Sequence, residues 1–374
     1  MFDPIIPVRR RQIFGWQPER VVLLVWSAVA CLTATSATAG PVQGLPALGA
    51  DENNVTVSGI SSGANMAVQF QVAHSKIVRG AGIVAGGPYY CAEASVTRAL
   101  QNCMAPTGSK PPPTVGEITS AIEAAAKGGK IDPPDFLRDD RVWLLSGGAD
   151  KTVEQPVMDA LAEFYRGRLP AAAIQYLKPP ATGHALPSAV DPAGNACASS
   201  EPPFINRCPD PDGAGAFDAA GSLLRHLLPP SMAPAAAAVP LATTFDQRPF
   251  IEGSPADASL AESGYVFVPA ACRSGGCRIH VAFHGCRQNA QEIGTRFVES
   301  AGYNRWAETN RLIVLYPQTI SRSGLAFGSL TWLYNPKACW DWWGYTGRDY
   351  HTQKAPQIAA VRKMIRQLAG PLAR

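Results

Sequence analysis

The sequence predicts an α/β fold, with a mostly parallel central sheet flanked by helices. Short apolar runs bounded by Gly and Pro alternate with helix-like stretches, the pattern of successive βα units. A Gly-x-Ser-x-Gly segment sits between the first run and the first helical stretch, and 374 residues suffice for one large α/β domain. In chain order, residues 55–57 read as a strand and 62–74 as the helix after it. Further strands are expected at 81–85, 142–146 and 173–176, then at 265–268, 278–283 and 312–316. Residues 357–368 place Ile358, Val361, Ile365 and Leu368 at helical spacing and predict a terminal helix. Residues 229–244 (PPSMAPAAAAVPLATT) are rich in Pro and Ala and carry no charge. They read as a connection inside a single domain, 40–374, because the two halves supply different parts of one site.

Residues 1–39 read as an export leader. Arg9, Arg10, Arg11 and Arg20 precede an apolar run at 21–32, and Ala37-Thr38-Ala39 offers an A-x-A cleavage pattern. The run is short for a bilayer span. A signal peptide is therefore preferred to a retained anchor, and a secreted or periplasmic protein without stable membrane insertion is expected. Cys31 lacks the Leu three positions earlier that a lipoprotein would carry. The leader holds four Arg, Asp3 and Glu19, so its removal lowers the net charge from +4 to +2. No basic run remains, which argues against a nucleic-acid partner and for a neutral substrate.

Eight cysteines remain: Cys91, Cys103, Cys197, Cys208, Cys272, Cys277, Cys286 and Cys339. An even number behind an export leader reads as disulfides. None has C-x-x-C spacing, so no metal site is expected. Proximity favours Cys91–Cys103, Cys197–Cys208 and Cys272–Cys277, which leaves Cys286 with Cys339.

Gly59-Ile60-Ser61-Ser62-Gly63 fits Gly-x-Ser-x-Gly after a strand and before a helix. In that context a tight turn presents the serine, and the helix N-terminus turns free N–H groups toward the reacting oxygen. Ser61 is the candidate nucleophile; Ser62 would act through its backbone N–H. The serine needs a base, and the base an orienting carboxylate. Asp150 follows the apolar strand 142–146 through Gly147-Gly148-Ala149, a loop at a strand's C-terminal end. Asp132, Asp135, Asp139 and Asp140 lack a preceding strand and read as turn or surface residues, and Asp159 falls on a helix. His184, in Thr182-Gly183-His184-Ala185-Leu186-Pro187, follows a strand downstream of Asp150, the required order. His74, His226, His280 and His351 read as structural.

Acyl transfer also needs oxyanion donors. In an ordinary α/β-hydrolase one donor follows an early strand, ahead of the nucleophile. Here the matching segment, His284-Gly285-Cys286 after strand 278–283, lies far behind Ser61. A circularly permuted α/β-hydrolase fold accounts for this order, with the amides of Ser62 and Cys286 converging on one oxygen.

Gly-Ile-Ser-Ser-Gly, Gly-Gly-Ala-Asp, Gly-His-Ala-Leu-Pro, the late His284-Gly285-Cys286 and Asn335-Pro336-Lys337-Ala338-Cys339-Trp340-Asp341-Trp342 occur in this order. The combination resembles the poly(3-hydroxybutyrate) depolymerases with a circularly permuted catalytic domain, from about Asn54 to Leu368. The resemblance implies Ser61, Asp150 and His184 as triad, Ser62 and Cys286 as oxyanion hole, and Trp340 lining a crevice that receives the polyester. Cys286 bonded to Cys339 would tie the oxyanion loop to Trp340. No separate polymer-adsorbing domain is evident, so amorphous polymer or soluble oligomers are the expected substrates.

Trp332, Tyr334, Trp340, Trp342, Trp343, Tyr345 and Tyr350 crowd one stretch. Flat apolar walls with polar tips suit a polyester, although most of these rings are expected in the core, with Trp340 the preferred substrate contact. The expected chemistry is two-step ester hydrolysis by a monomer without metal or organic cofactor. The alternatives are a feruloyl or acetyl esterase acting on carbohydrate and an inactive polymer-binding protein of the same fold.

Overall fold

The computed structural model describes residues 43–213, 215–228, 232–327 and 332–372. The expected leader, Cys31 included, lies outside the described residues, as do residues 229–231 of the connection. The central sheet has eight strands: β1 (Val55–Ile60), β2 (Val78–Val84), β3 (Arg141–Leu145), β4 (Ile174–Leu177), β5 (Thr243–Asp246), β6 (Ser263–Phe267), β7 (Arg278–Phe283) and β8 (Leu312–Tyr316). Their spatial order is β4-β3-β2-β1-β7-β8-β6-β5. β6 runs antiparallel to β8 and β5, and the other pairs are parallel.

The topology accounts for the late position of His284-Gly285-Cys286, the segment expected to supply an oxyanion donor. The first half of the chain builds one side of the sheet and the second half builds the other. They meet along β1 and β7, in register from Val55↔Ile279 to Gly59↔Phe283. The ends of these two strands are therefore neighbours, although more than two hundred residues separate them.

Parallel strands need crossovers, and helices cover both faces of the sheet. They are α1 (Ser62–Ala73), α2 (Val115–Lys127), α3 (Gln155–Arg166), α4 (Ala219–Leu227), α5 (Tyr303–Thr309) and α6 (Pro356–Ala369). Side chains alternate between the two cores. Val142, Leu144, Ile279 and Val281 pack with α1, α2 and α6, whereas Trp143, Leu145, Val314 and Tyr316 pack with α4 and α5. All twelve residues of α1 are buried, so its polar members must find partners inside. α6 starts at Pro356, whose missing N–H costs nothing at the first helical position, and stops before Gly370.

Four disulfides join Cys91 to Cys103, Cys197 to Cys208 and Cys272 to Cys277, the pairs that proximity favours, and Cys286 to Cys339, the pair they leave. No described helix is long and apolar enough to cross a membrane.

Two expectations are corrected. Thr243 and Thr244, assigned to the connection, begin β5. The strand lies at the sheet edge with both threonines exposed, so it has no apolar run and is held by pairing to β6 and by buried Phe245. Asp140 is no surface residue: it is buried, and its Oδ2 accepts from Gln71 Nε2 of α1 at 2.7 Å. Burial raises its carboxyl pKa to about 8, with the Gln71 hydrogen bond opposing the shift. A carboxyl whose pKa is raised on folding stabilises the fold at low pH and loses that contribution as pH climbs through the folded value. Asp140→Asn should therefore gain stability over the parent between about pH 4 and pH 8, by up to about 1.4 kcal/mol per pH unit. Thermal unfolding of both proteins across that range measures the difference.

Candidate active site

β1 ends at Ile60 and α1 begins at Ser62, so Ser61 alone makes the turn between them, at φ 57° and ψ −123°. Non-glycine residues rarely adopt such a positive φ. The surroundings hold it there: Ser61 N–H donates to Val84 O at 2.9 Å, and Ser61 O accepts from the amides of Ala64 and Asn65 at 2.9 and 3.1 Å. α1 starts hard against the end of β7. A β-carbon on Gly63 would overlap the carbonyl oxygens of Phe283 and His284. Gly63→Ala should accordingly destabilise the protein by about 3 kcal/mol or more, read as a lowered denaturant midpoint.

Asp150 lies in the loop after β3. Its Oδ1 accepts the amides of Thr152 and Val153 at 2.7 and 3.0 Å, leaving Oδ2 for His184 Nδ1 at 2.8 Å. Both side chains of the pair are buried. The loop carrying His184 is braced by the Cys197–Cys208 disulfide, since Gly183 N–H donates to Cys197 O at 2.9 Å, while His184 N–H donates to Ser200 Oγ at 2.9 Å. A β-carbon on Gly147 would overlap Thr182 O, so glycine lets the Asp150 and His184 loops touch. Ser61 and His184 line one cavity. Among the described residues their side chains share no hydrogen bond, a looseness common before substrate binds.

The second half of the chain closes the site. Gly285 lies against the serine: a β-carbon built on it would sit 3.4 Å from Ser61 Cβ. The loop is held on three sides. Gly285 N–H donates to Gln288 Oε1 at 2.7 Å, and Gln288 Nε2 donates to Pro203 O at 2.7 Å. Arg287 N–H donates to Lys337 O at 2.8 Å beside the Cys286–Cys339 disulfide. His284 is buried, which lowers its pKa to about 4 and keeps it neutral. Its Nε2 accepts Thr319 N–H at 3.2 Å, so Nδ1–H donates to Gly285 O at 2.7 Å. Among the described residues, neither the Ser62 nor the Cys286 amide donates to a protein acceptor.

The cavity over these groups measures about 430 Å³. Leu100, Met104, Phe204, Tyr334, Trp342 and Trp343 form much of its wall. A hydroxyl on a strained turn, a buried imidazole–carboxylate pair and two unengaged amides face one apolar space. That arrangement suits acyl transfer from a hydrophobic ester.

No protein-family model matches the chain. It is 39% identical over 332 residues to the poly(3-hydroxybutyrate) depolymerase of Delftia acidovorans, a match spanning 87% of this chain but 62% of that protein. It is 32% identical over 348 residues to the polyhydroxybutyrate depolymerase of Talaromyces funiculosus, spanning 91% of this chain and 97% of the relative. The chain belongs to the poly(3-hydroxybutyrate) depolymerase family. Two solved depolymerase structures share its fold. One is the enzyme of Penicillium funiculosum, at a TM-score of 0.75. The other is a serine-to-alanine variant complexed with an R3HB trimer, at 0.76. Each is 30% identical and covers 87% of this chain and 99% of its own.

One depolymerase feature expected from sequence is corrected. The face of Trp340 lines no crevice: the ring is completely buried, at 5.0 Å from Phe283 and 5.6 Å from His284 between centroids. The walls belong instead to Trp342, Trp343 and Tyr334. The alternation of buried and exposed rings follows a loop, which has no fixed period to read from sequence. Asp341 escaped notice for the same reason. Its buried carboxylate accepts the amides of Trp343, Gly344, Tyr345 and Thr346 and the Thr346 hydroxyl, folding the loop that presents Trp342 and Trp343. Burial pushes its pKa up while those donors oppose the shift. An Asp three residues before a Gly, inside an aromatic cluster, was the available signal.

Proposed function

We propose that this chain is an exported serine esterase that hydrolyses poly(3-hydroxybutyrate) or its oligomers. The observation that carries the reading is the meeting of Ser61, the His184–Asp150 pair and the Ser62 and Cys286 amides on one apolar cavity, built from both halves of the chain. In this reading residues 40–374 act as one catalytic domain, and the four disulfides favour an oxidising, secreted or periplasmic setting.

His184 Nε2 takes the Ser61 proton as Oγ attacks the ester carbonyl. The amides of Ser62 and Cys286 stabilise the oxyanion, and Asp150 holds the tautomer and the imidazolium. The imidazolium protonates the departing alcohol, leaving a hydroxyacyl group on Ser61. Water, deprotonated by the same imidazole, then attacks that acyl carbonyl and restores the serine. Trp340 supports the turn from behind rather than lining the cavity. Its backbone N–H donates to Ser62 Oγ at 3.3 Å, and its indole Nε1–H is buried without an acceptor.

Contact with a solid ester is favoured by the hairpin of Arg322–Leu325 and Trp332–Asn335, where Leu325, Trp332 and Tyr334 are exposed. Phe327 follows the first strand at 90% exposure. Mass spectrometry of products from amorphous poly(3-hydroxybutyrate), with feruloylated xylan in parallel, tests the assignment. Release of 3-hydroxybutyrate units is expected; ferulate release without polymer cleavage would overturn it.

A further inference from the structure

We propose that Arg287 and Lys337 form an anchor for the terminal carboxylate of the substrate, so that the enzyme cleaves esters next to the carboxyl end of a chain. The proposal rests on the esterase reading above and concerns which ester of a chain is presented to Ser61. The cavity wall is apolar apart from hydroxyl and amide groups and His184, yet it includes two permanent cations, Arg287 and Lys337. A neutral polyester segment gives neither cation a partner. Among the described residues no carboxylate lies within salt-bridge distance of either side chain.

The backbones that carry the two cations are held together by the framework that carries the Cys286 amide. Arg287 follows Cys286 directly and sits at φ 59°, with its N–H on Lys337 O at 2.8 Å. The Cys286–Cys339 bond clamps the same two segments. Arg287 is thus one residue from the Cys286 amide, and Lys337 is tied to it through the backbone.

Substrate chemistry decides which fragment the pair would hold. In a chain of hydroxyacyl units the free carboxylate always lies on the alcohol side of any ester. The anchored piece is therefore the leaving alcohol, which departs with the proton from His184, while the remaining chain stays acylated on Ser61. Soluble oligomers and polymer carboxyl ends become the preferred substrates.

The test compares the 3-hydroxybutyrate trimer as free acid with its methyl ester. The parent is expected to favour the acid by about tenfold in kcat/KM at low salt, chiefly through KM, with the preference shrinking in about 0.5 M NaCl. Arg287→Gln with Lys337→Gln should bring the ratio near one. Lys337→Glu, a change at an exposed position that leaves the Arg287 backbone alone, should lower the ratio on its own. Equal rates on acid and ester in the parent, or a preference that survives both variants, would overturn the anchor and leave the esterase reading standing. Cleavage of neither trimer would remove both.

Discussion

Replacing Ser61 with alanine is expected to lower kcat/KM on p-nitrophenyl esters and on 3-hydroxybutyrate oligomers by about 10⁴-fold or more. The fold should survive. The turn is held by backbone contacts, Ser61 N–H to Val84 O and Ser61 O to the amides of Ala64 and Asn65, which alanine retains. Unfolding should therefore shift by less than about 1 kcal/mol, and any residual rate is expected from the amides at the cavity and from binding. Adding His184→Ala to Ser61→Ala should cost little more, because the hydroxyl and its base act as a unit. A Ser61→Ala protein as active as the parent would mean that another nucleophile does the chemistry.

Asp150→Asn should reduce kcat by about 10³- to 10⁴-fold without disturbing the loop. The mechanism is a tautomer error. The asparagine Oδ1 can still accept from Thr152 and Val153, which leaves its NH₂ facing His184 Nδ1 in place of the carboxylate oxygen that now lies 2.8 Å away. That NH₂ needs an acceptor, so Nδ1 must lose its proton and Nε2 must gain one. Protonated Nε2 cannot take a proton from Ser61. Steady-state kinetics with circular dichroism as a folding control separates this from simple unfolding, and near-parental kcat would show that Asp150 does not orient the base.

These two variants concern residues that local sequence could find, because each stands at a strand end where short-range rules apply. Gly59-Ile60-Ser61-Ser62-Gly63 marks a strand–turn–helix junction by its glycines, and Asp150 and His184 each follow an apolar run that became β3 or β4. The alternation of apolar runs and helical stretches likewise pointed to the parallel sheet, since strands buried on both faces are largely apolar. Asp140 was misjudged because nothing within a few residues of it shows that Gln71, on another element, would bury against it. Trp340 was misjudged because seven aromatics in an irregular loop have no period from which to sort inward from outward rings.

The order of motifs along the chain put the expected oxyanion segment in the second half, and the spacing of the cysteines favoured the bonds that form. Only the tertiary structure decided that β1 lies beside β7, that Gly285 touches Ser61, and that Arg287 and Lys337 stand together at the cavity. Local patterns are set by steric and hydrophobic preferences within a few residues, and these can be read from a string of letters. Contacts across two hundred residues depend on how whole faces of helices and strands pack, and that information exists only once the chain has closed on itself.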